Sequence, residues 1–528
     1  MALTGVRQLL PATMRHYARN LAPWIAGVSA LSVSSILGYR LIFPDTAART
    51  QLSMALGSNP ALSLIFGPAR NLMTNDGFNT WRSGALGAFF TALMAILTVV
   101  ANSRADEDSG QAELFASAVL GRRARLAVAV LVAAIACVAM GVVSFLLTIA
   151  VGGSVWPTLL LSATFTASGL MFAGVAAVTA QLGSDARTAN SIAVAVLGAG
   201  FVIRGFIDSV NAPAWATWAT PFGWLEHVSP AAANNPWPLL LALALTVVLI
   251  GVAFLLDGRR DYGAGLLPPR PGPARGGRTA TIWGLARRLN RASVITWLIA
   301  FAGLGIIFGF LATSVTDLLA SNPVMTEVLA ANSAGSTNLT FAFLVTVLQL
   351  AGLIAAVAGV QIVNRIIMEE NNFRVEPLLA GALRRRTYLA SNLTVAYLVP
   401  GVCLLLAATV IGLITATTGT GVTITKVIAQ GAATIPAVWV LIAIAAAAVG
   451  ARPALRLAGW LAIVASFGLT ILGPTFKLPE WALSISPLHH IPEITAPNPN
   501  WTSLTLVSAV AVALTTVAFI GFQRRDTL

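Results

Sequence analysis

Asp106-Glu107-Asp108-Ser109-Gly110-Gln111-Ala112-Glu113, closed by Arg122-Arg123, occurs twice in this chain. The second copy is Glu369-Glu370-Asn371-Asn372-Phe373-Arg374-Val375-Glu376, closed by Arg385-Arg386. Glu107 and Glu370, Glu113 and Glu376, and Arg122 and Arg385 all stand 263 residues apart. Both copies lie in short loops between long apolar runs. In a chain with only 10% charged residues, a charged segment repeated at a fixed interval is not a chance solvated face. It predicts two equivalent halves and two docking elements for a partner that is itself present twice.

Working outward, the 528 residues are 57% hydrophobic, with a mean hydropathy of +0.82, far from a soluble globular composition. A bilayer core needs about 20 mostly apolar residues per helix. Twelve runs qualify: 22–42, 83–101, 126–151, 158–181, 189–204, 237–256, 293–315, 339–364, 388–413, 427–449, 457–473 and 501–521. The expected fold is therefore an all-α integral membrane protein with twelve transmembrane helices.

The net charge of +13 would suit nucleic acid, but the placement of the bases argues otherwise. With the amino terminus inside, 25 Lys and Arg fall on the cytoplasmic side and seven outside: Arg40, Arg49, Arg70, Arg82, Arg204, Lys426 and Lys477. That asymmetry is the positive-inside rule and puts both termini in the cytoplasm. No basic stripe is interleaved with aromatics, so no nucleic-acid partner is expected. The first apolar run lacks a small-residue cleavage site and reads as an uncleaved anchor. Leu9, Leu10, Met14 and Tyr17 before it form one face of an interfacial helix. Cys137 and Cys403 lie in apolar runs and read as small buried residues.

The repeat extends beyond the acidic loop. Ser58-Asn59-Pro60 returns as Ser321-Asn322-Pro323. Trp224 precedes Ser229-Pro230 as Trp481 precedes Ser486-Pro487, and each half ends on Arg-Arg-Asp, at 259–261 and 524–526. The expected organisation is a six-span half over 1–256, a Pro-, Gly- and Arg-rich cytoplasmic linker over 257–292, and a second six-span half over 293–528, in parallel orientation. The larger outer loops are 43–82, 205–236, 316–338 and 474–500.

No phosphate-binding G-x-x-x-x-G-K-[ST] loop is present, so the chain cannot hydrolyse ATP alone. His489-His490 with Glu493 is a poor chelate geometry, and no metal site is expected. All 19 acids fall outside the twelve runs. Ion coupling usually needs an ionisable group at membrane depth, despite an insertion cost of about 2.5–3.5 kcal/mol. Their placement favours energy supplied from outside the bilayer.

In the first loop, acids precede Leu114, Phe115, Val119 and Leu120, and arginines follow. The second carries Leu378, Leu379 and Leu383 before its arginines. Acids first and bases last complement a helix dipole, and the apolar residues give one greasy face. Each loop should form a short amphipathic helix on the cytoplasmic surface. Positive-inside topology explains the arginines equally well, whereas acids contribute little to topology and carry the docking expectation.

With these loops, Glu376-Pro377-Leu378-Leu379, and the run from Arg259-Arg260-Asp261 into Pro271-Gly272-Pro273, nearly the whole chain resembles the permease subunit of bacterial ABC exporters of the polyketide-antibiotic and multidrug type. These are fused twelve-span versions of the type-2 (ABCG-like) permease. The resemblance implies that the loops at 102–125 and 365–387 are coupling helices, each docking one copy of a separate ABC ATPase. That partner holds ATP and Mg, and this chain holds no cofactor. Asp106, Glu107, Glu113, Arg122 and Arg123 would form one contact, and Glu369, Glu370, Glu376, Arg385 and Arg386 the other. The resemblance also implies residence in the bacterial inner membrane and export of hydrophobic or amphiphilic compounds (antibiotics, drugs or lipids).

A midline cavity formed by spans 1, 2, 5, 7, 8 and 11 would be apolar. Tyr39, Phe43, Phe89, Phe90, Phe308, Phe310, Phe341 and Phe343 are its candidate lining, each weighed against a packing or lipid-facing role. Two rivals stand beside this reading. A major-facilitator-type secondary transporter shares the six-plus-six plan, but its acids are not visible within the runs. A membrane-embedded enzyme would need acids gathered at one membrane face.

Overall fold

The computed structural model describes residues 3–57, 60–108, 121, 123–209, 212–260, 264–267, 277, 281–320, 339–381, 383–417, 422–472 and 478–525. Among the described residues twelve helices are long and apolar enough to cross a membrane, and none forms a strand. The first six are α1 (Val6–Ile42), α2 (Asn75–Ala101), α3 (Ala124–Ala150), α4 (Val155–Leu182), α5 (Ala186–Ser209) and α6 (Trp237–Asp257). The second six are α7 (Ile282–Ala320), α8 (Leu339–Asn371), α9 (Arg385–Thr417), α10 (Ile424–Ala451), α11 (Ala458–Phe467, the α-helical part of the span Pro453–Thr470) and α12 (Trp501–Arg524). Each expected run coincides with one of these helices.

Several helices overrun the apolar stretch that predicted them. α2 starts at Asn75, where the Thr74 side chain accepts a hydrogen bond from the Gly77 N–H at 3.1 Å. Asn79, Trp81 and Arg82 therefore belong to a helix, not to the outer loop expected over 43–82. Their polarity hid the helix from a hydropathy reading, and the fold satisfies it by pairing. Asn79 Nδ2 donates to Ser32 Oγ on α1 at 2.8 Å, Ser83 Oγ donates to Asn79 Oδ1, and Thr148 Oγ1 on α3 donates to Ser32 Oγ at 3.0 Å. Such bonds join three spans and contribute on the order of 1 kcal/mol each.

Residues Met1–Gly272 and Pro273–Leu528 form two compact units. Inside the first, α4 packs against α2, α3 and α6, while α1 packs against α2 and α3. Inside the second, α10 packs against α8, α9 and α12, while α7 packs against α8 and α9. One pairing scheme generates both units, which is the structural content of the repeat. The crossing of α10 and α12 is the tightest kind. A Cβ built on Gly450 would stand 2.3 Å from the Ala518 carbonyl oxygen, and one on Gly521 2.5 Å from Ala451 Cα. Without a lipid-versus-core hydrophobic difference, such backbone approach supplies the packing energy.

The units differ where the acidic loops begin. α8 runs unbroken through Glu369 and Glu370 to Asn371. In the first unit the helix stops at Asn102-Ser103, and a separate turn, Arg104–Asp108, carries Asp106 and Glu107. The linker also differs from expectation. Residues 282–292 belong to α7, and Leu266 and Leu267 donate their N–H groups to Gln181 and Leu182 carbonyls at 3.0 and 2.9 Å. The start of the linker is thus pinned to the α4–α5 turn, because its backbone finds a free helix C-terminus there. The Pro- and Gly-rich stretch 268–276 lies outside the described residues.

Candidate functional site

In the first unit the site is built around a buried carboxylate. Arg260, just beyond α6, grips Glu107 with two parallel bonds, Nη1 to Oε2 at 2.8 Å and Nη2 to Oε1 at 2.6 Å. Arg104 donates to the same Oε2 at 2.8 Å, to the Ala264 carbonyl at 3.2 Å, and to the Ser184 carbonyl. Arg260 Nε reaches Gln181 Oε1, and Asp108 accepts the Ala186 N–H at 2.6 Å. The Glu107 side chain is only 8% exposed and that of Arg104 is fully buried. A buried charge survives when it is paired and hydrogen-bonded, and the forked guanidinium geometry supplies both. One carboxylate thereby ties together the end of α2, the α4–α5 turn, the end of α6 and the linker.

The second unit repeats the tie. Arg525 Nη2 donates to both oxygens of Glu370 at 2.7 Å, and Arg385 at the start of α9 donates to the Arg525 carbonyl at 2.8 Å. The Arg525 guanidinium lies 4.8 Å from the centroid of the Phe522 ring, which stacks on Tyr388. Glu369 pairs with Arg365 at 3.3 Å and Arg374 at 3.6 Å. Glu107 and Glu370 are repeat equivalents, as are the second arginines of the two Arg-Arg-Asp endings. The same bond recurs although its partners lie far apart in sequence.

The residues expected to meet a partner therefore divide. Glu107 and Glu370 point inward to their arginines. Asp106 is half-buried and faces Arg125 and His16. Arg123 is half-buried, Arg385 is engaged with Arg525, and Glu376 and Arg386 are exposed. Glu113, Arg122 and the apolar stretch 114–120 lie outside the described residues. In the second copy the amphipathic helix shrinks to one turn, Glu376–Leu379. Leu378, Leu379 and Leu383 pack on the core of their unit. Beside this turn, Phe373 is 66% exposed and takes a left-handed φ of 56°. Its sequence equivalent is Gly110, the residue type that fits such a backbone without penalty. A bulky residue held there, facing out, is a candidate functional position.

The candidate cavity residues separate into clusters. Tyr39 is buried, donates its hydroxyl to the Leu72 carbonyl at 2.7 Å, and packs with Phe43 and Phe78. Phe89 packs edge-on against Phe90 and Phe201. Phe341 is buried in the core of the second unit, Phe308 and Phe343 pack against that core, and Phe310 is exposed.

The position of the acids also needs correction. Asp76, Asp208, Asp257, Glu369 and Glu370 sit in terminal turns of spanning helices, because those helices outrun their apolar runs. Asp208 pairs with Arg204 in α5 at 3.0 Å, with side chains 2% and 3% exposed. Near it, at the end of the first unit away from the acidic loop, Arg70 pairs with Glu226 at 2.6 Å. Sequence reasoning missed these pairs and the Glu107–Arg260 tie. The one available signal was the repeated Arg-Arg-Asp: topology calls for any base there, not for the same triplet twice.

The family described as "Multidrug efflux system permease Rv1217c, C-terminal domain" matches residues 24–256 and 280–523. The Multidrug efflux system permease protein Rv1217c of Mycobacterium tuberculosis (strain ATCC 25618 / H37Rv) is 34% identical over 531 residues, which span 99% of this chain and 95% of that protein.

Proposed function

This chain belongs to the family of the multidrug efflux system permease, and from that premise we propose that it is the membrane subunit of an ATP-driven exporter. Two copies of a separate ABC ATPase dock on the two acidic loops and hold the ATP and Mg. The cargo is hydrophobic or amphiphilic, and export runs outward across the bacterial inner membrane, with both termini cytoplasmic. The observation that carries this reading is the duplicated glutamate–arginine tie behind each loop. A push on the loop is transmitted at once to the ends of α2 and α6, or of α8, α9 and α12, because buried ion pairs do not stretch freely. Exposed Glu376, Arg386 and Phe373 supply the contact surface of the second loop, and Glu113 that of the first.

The test is reconstitution with the candidate ATPase, measuring ATP hydrolysis and drug efflux for Glu113→Ala plus Glu376→Ala. Unchanged coupled transport in the double variant sinks the docking role of these acids. Among the described residues, the ionisable cluster around Asp208 and Glu226 is the feature that favours an ion-coupled rival. Efflux that persists without ATP and collapses with a protonophore selects that rival.

A further inference from the structure

Three arginines stand in the first turns of α7: Arg287, Arg288 and Arg291. All are exposed, and none has an ion-pair partner among the described residues. Arg288 and Arg291 stand in line with Ile295, Ile299 and Ile306, since steps of three, four, four and seven residues return to one helix face. These isoleucines are 45%, 68% and 43% exposed. The opposite face, with Ala286, Asn290, Phe301 and Ala312, is buried in the unit. α1 has the same arrangement. Its Arg15 and Arg19 are exposed in line with exposed Ala22, Ala26 and Leu37, while Leu21, Val28, Ser32 and Ile36 are buried. Neither residues 1–44 nor residues 262–316 contain an acid.

We propose that these two faces bind anionic phospholipids, the phosphate on the arginines and an acyl chain along the apolar line that continues them. A guanidinium meets a phosphate with parallel N–H bonds, and its aliphatic stem lies along apolar surface while its head stays at the interface. A zwitterionic lipid offers the same phosphate but cancels its charge with its own ammonium, so an acid-free cluster of guanidiniums selects the anionic class. Membrane topology asks only for bases on one side of the bilayer. It does not ask for them on the outward face of the first span, in line with its exposed apolar residues, in both units. A protein partner in the cytoplasm would reach the arginines and not the isoleucines; a lipid reaches both.

In the second unit this site stands back to back with the acidic loop. Leu285 and Leu289, on the inner side of the same helical turns, line a cavity of about 30 Å³ together with Val375 and Leu378 of that loop. Arg365 of α8 donates to the Leu289 carbonyl, so the end of α8 and the start of α7 are fixed to one another. A headgroup held by Arg288 and Arg291 therefore borders the wall on which the Glu376–Leu379 turn rests. On the orientation proposed above the lipid belongs to the inner leaflet, and the contact does not depend on the energy source.

The full chain in nanodiscs of equal phosphatidylglycerol and phosphatidylcholine, moved to mild detergent, reads the preference through mass spectrometry of the lipid it retains. The wild type should favour phosphatidylglycerol by more than about fivefold, the scale of one arginine at an anionic surface. Arg287→Gln with Arg288→Gln and Arg291→Gln should lower that ratio. Arg15→Gln with Arg19→Gln should lower it too, and all five together should bring it near equality. Lysine at the same five positions keeps the charge and should keep most of the preference. Arg187→Gln, at an exposed arginine that starts α5 without a second one on its face, should leave the ratio unchanged. Equal retention of both lipids by the wild type, an undiminished ratio with all five glutamines, a ratio lost equally with lysines, or an equal loss from Arg187→Gln alone would each overturn the proposal.

Discussion

Glu370 and Arg525 stand 155 residues apart in the chain and 2.7 Å apart in the fold. Glu107 and Arg260, separated by 153 residues, make the same bond in the first unit at 2.6 Å. Each closes a six-span unit by joining the end of its second span to the end of its sixth. Glu107 and Glu370, two of the acids expected to dock, are thus inner anchors of their loops, and the docking surface proposed above lies around them.

Removing one partner should be costly. Arg260→Ala leaves the Glu107 charge buried beside Arg104 alone, and Arg525→Ala leaves Glu370 without its ion-pair partner. Each should lose about 3–5 kcal/mol of stability. Replacing both partners by apolar residues of similar size should cost much less. Thermal unfolding of the purified chain reads the difference. Equal losses for single and double replacements would show that the pair does not act as a unit.

Phe373 separates stability from coupling. Phe373→Gly relieves a left-handed strain of about 1 kcal/mol or more and should leave the melting temperature unchanged or raised. It should also weaken capture of the ATPase and ATP hydrolysis stimulated by the permease. A variant that couples normally would make the exposed ring incidental.

At the α10–α12 crossing there is no room for a side chain at Gly450 or Gly521. Gly450→Val and Gly521→Val should each destabilise the second unit by about 1–3 kcal/mol through overpacking, and Gly450→Ala by less. Limited proteolysis restricted to the second unit is the expected signature. Wild-type resistance in Gly450→Val would contradict the close approach.

The pH dependence of stability follows from Glu226. Its folded-state pKa is raised to about 7, so the native state binds the proton more tightly than the unfolded chain does. The associated stability is full below an ordinary glutamate pKa of about 4.3 and is lost as pH rises through 7. The wild type should therefore melt progressively lower than Glu226→Gln between pH 5 and 7.5. Parallel melting curves across that window would refute the shift.

Much of the architecture was legible without coordinates. Span number follows from how a segment of about 20 residues partitions into lipid. That is a local property summed along the chain. The fixed interval between Glu107 and Glu370 likewise disclosed two units, and 34% identity to an efflux permease over nearly the full chain agrees with that plan. What a hydropathy reading missed were polar residues that the fold satisfies elsewhere: Asn79 inside α2, Asp208 at the end of α5, and residues 282–292 at the start of α7.

By itself, then, the sequence determined a twelve-span, twice-repeated permease with an acidic loop in each half. Only the tertiary structure decided that Glu107 and Glu370 face inward, that Phe373 faces out on a left-handed backbone, and that Glu226 pairs with Arg70. The physical reason is distance along the chain. Partition into a membrane is decided residue by residue, whereas an ion pair between groups some 150 residues apart exists only once the intervening helices have packed.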